Sequence, residues 1–213
     1  MMPNRVEANI EDEYFENQIS LDLDSDAILN QSGIYVFSEE FSFYSVSKVI
    51  KFILSKNLQT FGKTPKYITL VIMSTGGDLS ACFALIDVMK GSSIPVHTVG
   101  IGSISSCGLF AFIAGVKGHR TITPNTSILS HQFSWGTSGK THELIAMNEE
   151  MVRTERRLIN HIKHCTNLKA EEDIRTHLLP PSDVFLEAKE AVKIGIADNI
   201  SSYYPYNTDS KKK

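Results

Sequence analysis

The chain reads as an α/β fold. Three observations predict it: β-type runs alternate with segments of helical periodicity, one apolar run lacks polar alternation, and glycines stand at several of the junctions. Ile34-Tyr35-Val36-Phe37 is a short strand, and Tyr44 to Ser55 places Val46, Val49, Ile50 and Ile53 on one helical face. Tyr67 to Met73 is apolar almost throughout, the pattern of a central strand covered on both sides. Gly76-Gly77 ends that strand, Asp78 can cap a helix over Leu79 to Lys90, and Gly91 closes the helix before a strand at Val96 to Gly100. Strand, helix, strand in this order implies a parallel pair with a right-handed crossover. A small-residue apolar helix is expected over Ser106 to Ala114, followed by short strands at 120–122 and 127–130. Thr141 to Cys165 reads as a long charged helix, with Leu144, Met147, Met151, Leu158 and Ile162 as its inner stripe.

Composition bounds the function. The 213 residues carry 21 Lys+Arg against 24 Asp+Glu, a net charge of −3, which is no polybasic nucleic-acid surface, and 42% hydrophobic content can build a sizeable core. No stretch approaches the ~20 consecutive apolar residues of a membrane span, and the first residues lack a signal peptide's apolar block. Three widely spaced cysteines, Cys82, Cys107 and Cys165, suit a reducing compartment better than a disulfide framework. The expectation is a soluble, cytoplasmic protein. Residues 1–30 hold eight acids and one base, so an acidic arm is expected there, a domain over 31–200, and a mobile tail over 201–213. No internal repeat is visible.

Two strand-to-helix turns concentrate the chemistry. Ligands of an open parallel sheet gather at the carboxyl ends of its strands, where Gly76-Gly77 and the segment Gly102 to Gly108 both fall. A Gly pair can turn with its N–H groups outward, and a serine opening a helix lies beside unsatisfied N–H donors, so together they suggest an oxyanion hole. Read alone, the Gly pair is equally an ordinary turn, and Ser105 and Ser106 are ordinary N-caps. The elbow Gly-x-Ser-x-Gly is absent, because Ile104 stands two residues before Ser106. His161-x-x-His164-Cys165 has a spacing that a metal could use, but without a second pair it reads as a solvated helix face, and no metal is assigned.

Several blocks in order resemble a known family. Gly76-Gly77 after an apolar strand, Gly102-x-x-x-Ser106-x-Gly108, Gly115-x-Lys117-Gly118-x-Arg120, Pro124-Asn125 and His131-Gln132 look like ClpP, the proteolytic subunit of the ATP-dependent Clp protease. Asp183-x-Phe185-Leu186-x-Ala188-x-Glu190-Ala191-x-x-x-Gly195-x-x-Asp198 continues the match, which covers about residues 34 to 200. Departures from the family pattern are Thr75 and Phe133 where proline is usual, and extra residues around Leu179-Pro180-Pro181. The resemblance implies the ClpP/crotonase-like fold of repeated β-β-α units with a projecting handle helix over 141–165. Phe133 to Gly139 would form the strand and turn that begin the handle.

The same resemblance implies Ser106 as nucleophile, His131 as general base and Asp183 as the group orienting the histidine. These residue types suit the task, because an imidazole activates a serine hydroxyl and a carboxylate fixes the tautomer. Ser105 is the near competitor for nucleophile. The backbone N–H groups of Gly77 and Cys107 would bind the oxyanion, so the Cys107 side chain is expected to matter little. By resemblance the chain would be a serine endopeptidase that assembles with itself into heptameric rings, stacked in pairs. It would accept unfolded polypeptides from an AAA+ unfoldase partner and need no cofactor. The alternatives are a catalytically silent ring subunit and a crotonase-like enzyme acting on acyl-CoA thioesters.

Overall fold

The computed structural model describes residues 25–58 and 64–202. Most of the expected acidic arm and the tail beyond residue 202 lie outside the described residues. A mostly parallel sheet forms the centre, with β1 (Ile34–Phe37), β2 (Ile68–Ser74), β3 (Val96–Ser105), β4 (Arg120–Ile122) and β7 (Asn199–Ile200) in that order. β5 (Ser127–Ser130) runs parallel to the far end of β3, and β6 (Val184–Leu186) pairs antiparallel with β5. The apolar run of β2 is buried at six of its seven positions, as its lack of alternation predicts.

Residues 25–31 form helix α1, and α2 (Phe43–Asn57), α3 (Leu79–Gly91) and α4 (Cys107–Ile113) follow the first three strands. Ser42 caps α2 through a reciprocal exchange with Ser45, and Asp78 caps α3 by accepting from the Ala81 N–H at 2.7 Å. The main core joins Val46, Val49 and Ile53 of α2 and Leu85 of α3 to Ile68, Leu70 and Ile72 of β2. On the other side of the sheet, Ile34, Val71 and Val99 form a smaller cluster with Leu29 of α1 against it.

α5 (Thr141–Cys165), α6 (Glu171–His177) and α7 (Ala188–Lys193) complete the chain. The helix bounds of α5 match the expected ones, but its inner stripe is interrupted. Leu158 and Ile162 are buried at its C-terminal half, whereas Leu144, Ile145, Met147 and Val152 are exposed. His161 also departs from expectation: it is buried rather than on a solvated face. Its Nε2 donates to the Phe110 carbonyl at 2.8 Å and its Nδ1 faces the Lys90 ammonium at 3.1 Å. Residues 131–139 have no strand where one was expected at the start of the handle. Among the described residues, no neighbouring strand is present to pair with them, and an isolated strand is not stable in water.

Among the described residues, Arg120 is the largest fully buried side chain. It donates through Nε and Nη2 to both carboxylate oxygens of Asp198, at 2.9 and 2.6 Å, and through Nη1 to the Cys165 carbonyl at 2.6 Å. This fork ties β4, the β7 approach and the last turn of α5 together. No helix among the described residues is long and apolar enough to cross a membrane.

Candidate active site

β3 ends at Ser105 and α4 begins at Cys107, so Ser106 alone makes the turn. Its φ of 52° and ψ of −119° make it the one non-glycine residue with positive φ among the described residues. Such a conformation costs about 1–3 kcal/mol and persists only where the surroundings enforce it. Here both main-chain groups are held: the Ser106 N–H donates to the Leu129 carbonyl at 2.9 Å, and the Ser106 carbonyl accepts from the Phe110 N–H at 3.1 Å. The side chain makes no cap bond, so the ordinary N-cap reading does not apply to Ser106. Ser105, the competing serine, is buried with its hydroxyl 3.0 Å from that of Ser103.

Ser106 lines a cavity of about 610 Å³ together with His131, Gly77 and Cys107. Aromatic walls come from Phe83, Phe110, Phe133 and Trp135, and α5 adds Glu150, Thr154 and Arg157. Arg157 donates to Glu150 at 2.5 Å and to Thr154 at 2.8 Å, and this contact holds the Glu150 carboxyl below its ordinary range. Four of the five site residues expected from the sequence therefore meet at one surface.

The loop opposite Ser106 is clamped through its backbone. Gly76 and Gly77 take φ of 111° and 137°, conformations that other residues rarely adopt, and a Cβ on Gly77 would stand 2.3 Å from the Phe41 carbonyl oxygen. That close approach lets Phe41 donate its N–H to the Gly76 carbonyl and accept from the Asp78 N–H, both at 2.7 Å. Among the described residues, no protein acceptor takes the N–H of Gly77 or of Cys107. Phe41 was not singled out by the sequence reading, and its role depends on main-chain position, which leaves no side-chain signature.

His131 directly follows β5 and Asp183 directly precedes β6. The antiparallel register pairs Leu129 with Phe185 and Ser130 with Val184, and His131 and Asp183 are the residues that flank this last pair on the two strands. The flanks of His131 fix this approach. Ser130 Oγ donates to the Leu178 carbonyl at 2.5 Å and Gln132 Nε2 to the Leu179 carbonyl at 2.9 Å, after which Pro180-Pro181-Ser182 returns the chain to Asp183. The extra residues around Leu179 are thus built into the base of the site. Asp183 is exposed and does not line the cavity, and among the described residues no hydrogen bond joins Ser106 to His131 or His131 to Asp183.

Comparison with known proteins covers the same elements. The family model described as Clp protease matches residues 17–203. The ATP-dependent Clp protease proteolytic subunit 2 of Nocardia farcinica (strain IFM 10152) is 32% identical over 136 residues, 64% of this chain. The match spans 66% of that relative, just under two thirds of its length. The family match takes in every strand of the sheet, the turn at Ser106 and the ladder leading to His131 and Asp183, and the chain belongs to the Clp protease family.

Proposed function

We propose that the chain is a serine endopeptidase, the proteolytic subunit of a Clp-type ATP-dependent protease, using Ser106, His131 and Asp183. One observation carries the reading: the only strained non-glycine backbone among the described residues presents a serine to a cavity that it shares with a histidine and two undonated main-chain N–H groups. In the proposed reaction, Ser106 Oγ attacks the peptide carbonyl carbon while His131 takes the hydroxyl proton. The carbonyl oxygen becomes an oxyanion held by the N–H groups of Gly77 and Cys107. Collapse breaks the C–N bond, and the imidazolium gives its proton to the leaving amine. Water then attacks the acyl-enzyme, again losing a proton to His131, and releases the acid with Ser106 restored.

Asp183, one ladder step beyond Ser130–Val184, would orient the imidazole by accepting from its far N–H. His131 directly follows β5 at the start of the irregular segment 131–139, and with no hydrogen bond joining it to Ser106 or Asp183 among the described residues, the proposed reaction requires the triad to close. Self-assembly supplies a cause for that closure. Leu144, Ile145, Met147 and Val152 leave one half of α5 apolar and uncovered within a single chain, which supports a handle that interlocks stacked heptameric rings. The substrates would be unfolded polypeptides delivered by an AAA+ unfoldase to a cytoplasmic chamber.

The test is labelling with a fluorophosphonate probe alongside cleavage of a short fluorogenic peptide. Ser106→Ala is expected to abolish both, and His131→Ala to lower turnover by several orders of magnitude, roughly as loss of a triad base does elsewhere. Labelling that survives Ser106→Ala moves the nucleophile elsewhere. An assembled wild-type ring, verified by native mass, that neither labels nor cleaves identifies a silent ring subunit.

A further inference from the structure

Two buried thiols form a chain of hydrogen bonds into the site. Cys82 Sγ donates to the Cys107 carbonyl at 3.4 Å, and Cys107 Sγ donates to the Gly77 carbonyl at 3.2 Å. Cys82 is fully buried and Cys107 is 2% exposed. Burial pushes the Cys82 thiol well up, so it stays protonated as a donor.

We infer that Cys107 is a positioning residue, whose thiol fixes the Gly76-Gly77 loop relative to the nucleophile so that the two oxyanion N–H groups converge. The inference rests on the function proposed above and departs from the expectation that the Cys107 side chain matters little.

The argument follows from what holds the loop. With φ of 111° and 137°, the Gly pair lies where its peptide planes turn with the least steric resistance. The Gly76–Gly77 peptide carries the Gly77 N–H, which has no protein acceptor among the described residues, and its carbonyl is held by the Phe41 N–H. The Gly77–Asp78 peptide is held at both ends, its N–H by the Phe41 carbonyl and its carbonyl by the Cys107 thiol. Phe41 therefore sets the loop against the start of α2, far along the chain from Ser106. The thiol ties the Gly77 carbonyl directly to the residue after Ser106. It is the same residue whose own N–H is the second oxyanion donor, so one side chain locks the spacing between the two donors.

A residue that only filled volume would need no donor at this point, and that distinction gives the test. Cys107→Ala removes the donor at a helix start, where alanine is well tolerated. Cys107→Ser keeps a donor on a shorter side chain. Steady-state peptide cleavage, melting temperature and the affinity of a reversible peptide boronate, which forms a tetrahedral adduct, are measured for both. Removing an oxyanion donor outright costs about a hundredfold or more in kcat, so loosening its placement is expected to cost about tenfold. Cys107→Ala is expected to show that loss in kcat with KM within about twofold, a parallel loss of boronate affinity and a melting temperature lowered by only a few degrees, as a small buried truncation costs. Cys107→Ser is expected to recover most of both losses.

A kcat for Cys107→Ala within about twofold of the parent overturns the inference, as does a serine variant as impaired as the alanine one. Ser106→Ala run in parallel separates the two claims. If it still cleaves, the proposed function fails; if it is inert while Cys107→Ala is normal, only the positioning role fails.

Discussion

A Cβ added to Gly76 would stand 2.8 Å from the Cβ of Ser106 and 3.1 Å from the Ser105 carbonyl oxygen. The oxyanion loop and the nucleophile turn are thus packed at a distance that admits only hydrogen at position 76. Gly76→Ala must move one of them, and its φ of 111° adds strain of about 1–3 kcal/mol. Because a 1 Å misplacement costs roughly a hundredfold in rate, peptide cleavage by Gly76→Ala is expected to fall by at least that factor. Circular dichroism should show a folded chain with a lowered melting temperature. Full activity in that variant would mean that the loop and Ser106 do not act together.

The Ser106 turn makes a second, less intuitive prediction. Ser106→Gly and Ser106→Ala both remove the hydroxyl and should be equally inert, but only glycine is at ease at φ of 52°. Relief of about 1–3 kcal/mol of strain outweighs the roughly 0.5–1 kcal/mol by which glycine stabilises the unfolded chain. Ser106→Gly is therefore expected to melt a few degrees above Ser106→Ala, at about 2–4 °C per kcal/mol for a chain of this size. Equal melting temperatures would show that the turn is unstrained.

Much of this architecture is written in local patterns, and the rest is not local. The uninterrupted apolar run of β2 and the caps Asp78 and Gly91 around α3 are legible because each depends on a few neighbours in sequence. The extension of β3 to Ser105 is not, since it follows a register shift between Ile72 and Ser74 and depends on the pairing of Ser103 to Ser105 with β5. α6 was missed because only Ile174 of its seven residues is buried, too little to make a periodic stripe. His131 and Asp183 are 52 residues apart in sequence and are placed at the end of the same β5–β6 ladder, a relation that no local spacing encodes, so their pairing came from family resemblance. The exposed half of α5 shows the converse, a stripe legible in sequence that finds no cover within one chain.

The Arg120–Asp198 fork gives a prediction about stability away from the chemistry. Burial alone raises the Asp198 pKa, but the Arg120 guanidinium and the N–H groups of Arg120 and Gly118 outweigh it and hold the carboxyl below its ordinary range. Asp198→Asn keeps the shape and leaves the Arg120 charge buried without its counterpart. Breaking one side of such a pair costs about 3–5 kcal/mol, so the urea midpoint at neutral pH should fall sharply. Because the folded pKa is depressed, the native contribution is present above the unfolded value and lost as pH falls through the folded one. The variant's deficit is therefore expected to shrink in strong acid, and a deficit unchanged at low pH would mean that charge is not what the fork supplies.

His161 should make the protein sensitive to mild acid. Burial is the main cause that lowers its pKa to about 4, with the neighbouring Lys90 and His164 adding to it against the opposing bond to Phe110. The neutral ring fits its surroundings, with Nε2–H on the Phe110 carbonyl and Nδ1 accepting from Lys90, while Cys165 Sγ lies 3.6 Å from the same Nδ1. A histidine whose folded pKa lies below its unfolded value of about 6.5 contributes stability that is complete above that value and is lost as pH falls toward the folded one. The window is therefore between about pH 6.5 and 4, and the total at stake is on the order of 3 kcal/mol. His97, stacked 4.0 Å from His119, is also held to about 4 by burial, so the raw slope mixes the two residues. His161→Gln separates them, because its amide can donate to Phe110 and accept from Lys90 without titrating. The difference in unfolding free energy between about pH 7 and pH 4.5 should shrink in His161→Gln by about 2–3 kcal/mol relative to the parent. An identical pH dependence in both proteins, or an imidazole NMR titration of His161 near its ordinary value, would place the ring in contact with water and remove the basis for the expected acid lability.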